Sequence, residues 1–528
     1  MTTPQDSLPP LITALCDGKI YGQPGADIQL LQTHISYVFL TGRYAYKIKK
    51  PVNLGFLDFS TLDKRHHYCE EELRLNRRLA PQLYLEVVPI TGSPAHPVLG
   101  CAGTAIEYAV KMAEFPQQAR LDHVLAQGGL TSAQIDALAS QIAVFHNSIA
   151  VAGSDSMFGT PARVLQPALE NFEQIRPLLD DTNDLAALDE LQSWTQREYT
   201  ALEPAFAQRK QDGFIRECHG DLHLANIALV NGAITIFDCI EFNDNLRWID
   251  VLSEIAFLVM DLMDRNRPEF AYRALNAYLE LSGDYSGLGV LRFYLTYRAM
   301  VRAKVATIRL HQAGLGQSER TAIFRNYRSY IQLAQKFTAP PRPALLITHG
   351  LSGSGKTTWS QSILESLGAI RIRSDVERKR LFGLSAESPS QSGVASGLYA
   401  ADATHLTYQH LAKLAQAIVA AGFTVLVDAT FLQQSQRSLF RELAQAMGVP
   451  FVILDFQAVP ATLRQRIVQR RHAAQDASEA DLAVLEHQYA TQQPLAPDEL
   501  PLTIPFMTGE EGIPTSAIEA LQKLCNGF

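Results

Sequence analysis

Three polar residues near the middle of the chain have the types and spacing for phosphoryl transfer. Asp221, Asn226 and Asp238 lie within residues 218–238, a stretch that reads as a loop followed by a hairpin. Ile227–Val230 is a short apolar strand. Asn231-Gly232 is the dipeptide that best supports a type I′ turn, because both central residues need φ > 0, and residues 233–237 form the returning strand. Asn226 stands at the hairpin entrance and Asp238 at its exit, so both side chains emerge at one end, with Asp221 on the loop just before. An Asp can orient an acceptor hydroxyl, and a carboxylate with an amide oxygen suits a hard cation such as Mg²⁺.

A second stretch carries related chemistry. An apolar strand at 344–348 runs into Gly350-Leu351-Ser352-Gly353-Ser354-Gly355-Lys356-Thr357, and a helix follows. This is the complete Gly-x4-Gly-Lys-Thr loop in the strand–loop–helix context that confirms it. The glycines let backbone N–H groups face phosphates, and the helix N-terminus adds a favourable dipole. Lys356 is placed for the β- and γ-phosphates and Thr357 for Mg²⁺. Gly350, Ser352, Gly353, Ser354, Gly355 and Thr358 complete the expected nucleotide-binding set.

The five-residue step from Asp221 to Asn226, with Asp238 where a metal-binding Asp belongs, is similar to the catalytic loop of protein kinases. The His219-Gly220-Asp221 form, with His223 following, resembles the aminoglycoside phosphotransferase family of small-molecule kinases. The resemblance implies a bilobal kinase-like fold, with Asp221 catalytic and Asn226 and Asp238 as metal ligands. It also implies a strand lysine paired with a helix glutamate. On the strand Tyr44–Lys49, alternation puts Ala45, Lys47 and Lys49 on one face. Lys47 is the first choice for holding nucleotide phosphates and Lys49 the second, the alternative being solvated strand lysines. A capping pattern at Ser60-Thr61-Leu62-Asp63 opens a helix carrying Glu70, Glu71 and Glu72. Glu72 is preferred as the lysine's partner, then Glu71; a wet acidic face is the alternative. A strand at 106–112 and Ala113-Glu114-Phe115-Pro116 mark the crossing between lobes, where Met112 and Glu114 are candidates for adenine contacts. Asp250, opening an apolar helix, is expected to brace the catalytic loop. Arg298, Arg302 and Arg309 form either a solvated face or a basic lining for an anionic acceptor.

Three prolines in four positions at 340–343 mark a linker. The expected division is a kinase-like domain over 1–337, a linker at 338–343 and a P-loop domain over 344–528. Beyond the loop, Asp375 ends a strand 19 residues after Lys356, at the cleft edge of an open sheet. Asp375-x-x-Arg378 resembles the small P-loop kinases of the gluconate kinase, zeta toxin and polynucleotide kinase type. There such an Asp takes the acceptor's proton and the Arg holds the acceptor; a plain helix cap is the alternative for Asp375. Asp428 ends a strand as a candidate Mg²⁺ ligand of Walker-B type. Arg466 and Arg470, one turn apart on a basic helix, are candidates for closing over the transferring phosphate. Asp476-Ala477-Ser478-Glu479 reads as the cap of the next helix. Alternating strands and helices predict a parallel, doubly wound sheet.

Composition agrees with a globular chain of two or three domains: 528 residues, 47% hydrophobic and 19% charged. Net charge is −8, and residues 344–528 carry 14 Lys/Arg against 17 Asp/Glu, which argues against a nucleic-acid partner. The six cysteines show no Cys-x-x-Cys pair, and the N-terminus has no basic-then-apolar leader, so a cytoplasmic setting with no membrane contact is expected. The expected activity is ATP- and Mg²⁺-dependent phosphotransfer at two sites to small-molecule hydroxyl acceptors. The alternatives are a nucleotide-sensing protein in which one domain binds ATP without catalysis, and a nucleic-acid 5′-hydroxyl kinase in the C-terminal domain.

Overall fold

The computed structural model describes residues 8–55, 57–311, 314–386, 388, 397–473, 479–508 and 515–526. The chain divides into two compact units. One comprises Met1–Ala137, Val144–Pro167 and Phe206–Asp261; the other comprises Leu138–Ala143, Ala168–Ala205 and Leu262–Phe528.

The first unit begins with α1 (Pro10–Ala14) and a six-stranded antiparallel sheet. Its strands are β1 (Gln29–Gln32), β2 (Ser36–Leu40), β3 (Tyr44–Lys49), β4 (Tyr84–Ser93), β5 (His96–Leu99) and β6 (Glu107–Ala113), in the order β1-β2-β3-β6-β4-β5. The two-residue period of β3 sorts its side chains. Tyr46 and Ile48 pack with Ile12, Leu15 and Phe39, while Lys47 and Lys49 face α2 (Leu62–Asn76). Thr61 caps α2 by accepting from the Lys64 N–H. Cys69 and Leu73 of α2 pack on Tyr84 and Val110 of the sheet.

Helices follow: α3 (Leu121–Ala126), α4 (Ser132–Ser148), α5 (Pro161–Ile175) and α6 (Thr182–Gln211). The Thr131–Gln134 capping box starts α4. Next, β7 (Ile215–Glu217) pairs with β10 (Trp248–Asp250), and between them lie β8 (Ile227–Val230), β9 (Ala233–Ile236) and α7 (Asp244–Arg247). Asn231 and Gly232 have φ of 52° and 80°, as a type I′ turn requires. The largely apolar α8 (Val251–Asp264) is buried from Val251 to Leu262, and its polar side chains Ser253, Glu254 and Asp261 are buried with it. After it come α9 (Pro268–Ser282), α10 (Leu288–Leu310) and α11 (Gln317–Thr338).

The second unit contains a five-stranded parallel sheet in the order β12-β13-β11-β14-β15. Chain order gives β11 (Leu345–His349), α12 (Lys356–Leu367), β12 (Ile370–Arg373), α13 (Ser374–Leu381), α14 (Ala401–Ala420), β13 (Val425–Asp428), α15 (Gln434–Met447), β14 (Phe451–Gln457), α16 (Pro460–Ala473), α17 (Leu482–Thr491), β15 (Thr503–Met507) and α18 (Thr515–Asn526). Trp359 and Ile363 of α12 and Leu521 of α18 cover one face over Leu346 and Leu454; α14 and α15 pack from β13 and β11. β15 has no counterpart in the sequence reading, because Pro505 breaks its strand pattern; it is tolerated at the edge of the sheet. Residues 476–478 of the expected cap lie outside the described residues, and Asp481 caps α17 by accepting from the Val484 N–H.

Candidate active sites

The first set of residues converges within the first unit. Lys47 Nζ donates to Asp238 Oδ1 at 2.7 Å and lies 2.8 Å from Glu72 Oε1. Lys49 donates to Glu72 Oε2 at 2.8 Å and also to Glu241. One buried glutamate therefore bridges both candidate lysines, and Glu71 turns away to pair with Arg74. Burial would lower the Lys47 ammonium, but Asp238, Glu72 and Glu241 outweigh it and raise it well above its usual range. Burial would likewise raise Glu72, and the two ammoniums overcome that and hold it ionised. Glu241, raised by burial, is a member that sequence reasoning missed; its only signal was an acid three residues after Asp238.

The loop carrying Asp221 and Asn226 sits beside these residues. Asn226 Nδ2 donates to the Asp221 backbone O at 3.0 Å and to Oδ2 at 2.9 Å, and His223 Nε2 lies 3.4 Å from the same carboxylate oxygen. Asp238 has φ of 65°, a left-handed conformation uncommon for a non-glycine residue, and the Tyr84 hydroxyl accepts its N–H at 3.1 Å. His219 bridges the loop to the hairpin exit through Nε2 and Phe237 O at 2.9 Å. At Gly220, φ is 89° and a Cβ would meet Leu246 O at 2.7 Å, so glycine is required.

Asp250 takes Arg209 in two bonds of 2.6 and 2.7 Å and accepts the Leu252 N–H. The loop amides of His219 and Gly220 go to Glu254, one turn further along α8, and the Leu224 N–H goes to Asp261. Burial works to raise Glu254, but the His146 hydrogen bond and charge, His219 and the Gly220 N–H bring its carboxyl down to about 2. At the crossing after β6, the Glu114 N–H is taken by Arg43 O and its carboxylate accepts the Gly42 N–H at 2.8 Å. Met112 pairs with Ala45 and Tyr84 across the sheet.

The second set lies within the second unit. Gly350, Gly353 and Gly355 all have positive φ, and a Cβ on Gly350 would sit 2.4 Å from Phe456 O. Lys356 Nζ donates to Gly350 O and Leu351 O at 2.9 and 2.8 Å. Thr357 and Thr358 open α12. One turn on, Ser360 Oγ donates to Asp428 Oδ2 at 3.4 Å, so the buried Asp428 faces the start of that helix. Gln488 of α17 holds Ser352 at both ends: its Oε1 accepts the Ser352 N–H at 2.9 Å and its Nε2 donates to Ser352 Oγ at 3.0 Å. A lone Gln on a helix carried no sequence signal. Ser354 O accepts from Thr508 Oγ1 at 2.7 Å.

Asp375 is a residue of α13's first turn, and Arg373 is the N-cap. Its carboxylate pairs with Arg373 at 2.9 Å, and that guanidinium overcomes burial to keep Asp375 below the usual carboxylate range. Arg378 donates to Leu398 O and Thr404 Oγ1 at 2.6 and 3.1 Å, with its guanidinium over the Tyr399 ring. Arg466 reaches Gly353 O and Thr508 at the P-loop; the Arg470 side chain lies outside the described residues. Of the basic stripe, Arg298 is buried against Tyr297 and Arg302 lies over Tyr330, while Arg309 is exposed and pairs with Glu319.

Residues 57–294 match the model of the phosphotransferase enzyme family, and residues 345–495 match that of an AAA domain. Both domains belong to kinase families. The phosphotransferase match contains Glu72, Asp221, Asn226, Asp238 and Glu241; it begins after β3 and so leaves out Lys47 and Lys49. The P-loop domain contains every residue of the second set up to Gln488. An uncharacterized protein of Mycobacterium bovis is 29% identical over 472 residues, covering 89% of this chain and 92% of its own. Among solved structures, an amicoumacin kinase in complex with AMP-PNP and Ca²⁺ is 12% identical, with 58% of this chain and 88% of that one covered at a TM-score of 0.36. An unliganded sugar kinase from Janibacter sp. HTCC2649 is 20% identical, covering 35% of this chain and 95% of that one, with a TM-score of 0.28.

Proposed function

We propose that the protein is an ATP-dependent phosphotransferase with two ATP·Mg²⁺ sites, one in a domain over 1–337 and one in a domain over 344–528. Each passes the γ-phosphoryl group to a hydroxyl of a small cellular metabolite. The observation that carries this reading is the Lys47–Glu72–Asp238 ion-pair set standing beside Asp221 and Asn226.

In the first site Lys47, oriented by Glu72, binds the nucleotide phosphates. Asn226 uses its amide nitrogen on Asp221, which leaves its amide oxygen, with the Asp238 carboxylate, as hard donors that fit Mg²⁺. The cation, when bound, neutralises charge on the phosphates. Asp221 takes the acceptor's proton as the new O–P bond forms and the bond to the departing ADP oxygen breaks. In the second site the loop amides from Gly353 to Thr357 and Lys356 hold the phosphates, Thr357 and Asp428 fit the cation, Asp375 takes the acceptor's proton, Arg378 holds the acceptor and Arg466 steadies the loop. Among the described residues no helix is long and apolar enough to cross a membrane.

The test is a phosphorylation screen of a metabolite pool with γ-labelled ATP. Asp221→Ala and Lys356→Ala should each abolish one ATP-consuming activity and leave the other. Full turnover by both variants on every acceptor found sinks the reading.

A further inference from the structure

The residue the second site is built around from outside its own sequence is Glu280, on α9. This helix belongs by sequence to the stretch matching the phosphotransferase family, yet it lies against the edge strand of the P-loop sheet in the same compact unit. Asn276, one turn earlier, pairs with that edge as a neighbouring strand would: its Nδ2 donates to Ala369 O at 3.0 Å, and its Oδ1 accepts the Arg371 N–H at 2.7 Å. Tyr272 packs against the core beneath, and Arg273 pairs with Glu365 of α12 at 2.8 Å.

Glu280 then reaches two arginines on β12. Its Oε2 lies 3.5 Å from Arg371 and its Oε1 lies 3.3 Å from Arg373. Arg371 continues to the first turn of α12, donating to Thr357 O and Ser360 Oγ, both at 3.2 Å; Ser360 in turn contacts Asp428. Arg373 continues to the Asp375 carboxylate at 2.9 Å. Arg380 donates to the Glu280 backbone O, tying α13 to the same point. One carboxylate therefore stands behind both the cation-side helix turn and the acceptor-side aspartate.

We infer that Glu280 is a positioning residue of the P-loop site: it aligns Asp375 through Arg373 and the Thr357 turn through Arg371, so α9 is a working part of that site. The inference rests on the reading of Asp375 as the acceptor's base. Without Glu280, Arg373 keeps its bond to Asp375 but loses an acidic partner on α9 that helps fix its direction. Groups held this way support the reacting residues without touching substrate, and a displacement of about 1 Å at such a shell costs roughly tenfold to a hundredfold in rate.

The experiment uses the full chain with Asp221→Ala, so that ATP turnover reports the P-loop site alone. Turnover, the AMP-PNP·Mg²⁺ affinity of the binding component that Lys356→Ala removes, and melting temperature are measured with Glu280→Gln, Glu280→Asp and Asp375→Asn added singly. Glu280→Gln should lower kcat about tenfold or more while AMP-PNP affinity stays within about threefold and melting is little changed; Glu280→Asp should recover part of the rate. Unchanged kcat in Glu280→Gln beside an inactive Asp375→Asn overturns the inference alone. Unchanged kcat in Asp375→Asn, or no turnover in the Asp221→Ala chain, overturns the underlying reading. Parallel loss of rate, nucleotide affinity and melting temperature, with no recovery in Glu280→Asp, assigns Glu280 a structural role and also overturns the inference.

Discussion

Lys47 and Lys49 share a strand face and a glutamate, but their surroundings differ. The Lys47 side chain is 12% exposed and reaches Asp238, whereas Lys49 is 1% exposed and lies between Glu72 and Glu241. The two should therefore fail in different ways. Lys47→Met should cut first-site turnover about a hundredfold with a small change in stability, since a preorganised cation on the phosphates is lost. Lys49→Met should destabilise the fold by about 3 kcal/mol, since two buried carboxylates lose their shared counter-charge. Denaturant titration beside steady-state kinetics separates them, and the assignment of Lys47 falls if the pattern is reversed. Asp221→Asn should lower first-site kcat by about 10²–10⁴ while AMP-PNP binding persists.

At the scale of elements, α8 holds the Asp221 loop through Glu254 and Asp261, and α17 holds the P-loop through Gln488. Glu254 fastens the catalytic loop, and its carboxyl sits near 2 against an ordinary 4.5. A depressed carboxyl stabilises the fold above its unfolded value and loses that contribution as pH falls toward its folded one. Glu254 should thus contribute about 3 kcal/mol at neutral pH that disappears between about pH 4.5 and 2. Glu254→Gln should flatten this part of the stability-versus-pH curve; an unchanged curve would refute the assignment. Gln488 of α17 clasps Ser352 of the P-loop, so Gln488→Ala should weaken AMP-PNP binding about fivefold, the size of one lost hydrogen bond, as read by calorimetry.

At the scale of the molecule, the proline-rich segment marks a boundary in sequence that the packing does not follow. The helices before it, α9 to α11, lie in the same compact unit as the P-loop sheet. A protease site placed within 339–343 should therefore leave both pieces bound after cleavage, held by Asn276, Glu280 and Arg273 against β12 and α12. Two separate peaks on size exclusion would show the contrary. Asn276→Ala should destabilise this association by about 1–3 kcal/mol, because it leaves a buried edge N–H and C=O unpaired.

The sequence by itself determined the local machinery. The step from Asp221 to Asn226, the Asn231-Gly232 turn and the glycines of the P-loop work within a few residues, through backbone conformations that only certain side chains permit, so they are legible without a fold. Tertiary structure alone decided which charges meet. Lys47 finds Asp238 across 191 positions, Lys49 finds Glu241 across 192, and Arg373 finds Glu280 across 93. The His219 and Gly220 amides go to Glu254, four residues beyond the Asp250 that the sequence singles out. Residues 298–309 look like a basic stripe in sequence, but helix packing buries Arg298 against an aromatic ring. The reason is common to all of these: a salt bridge depends on distance in space and on desolvation, and neither is written in the spacing of residues along the chain.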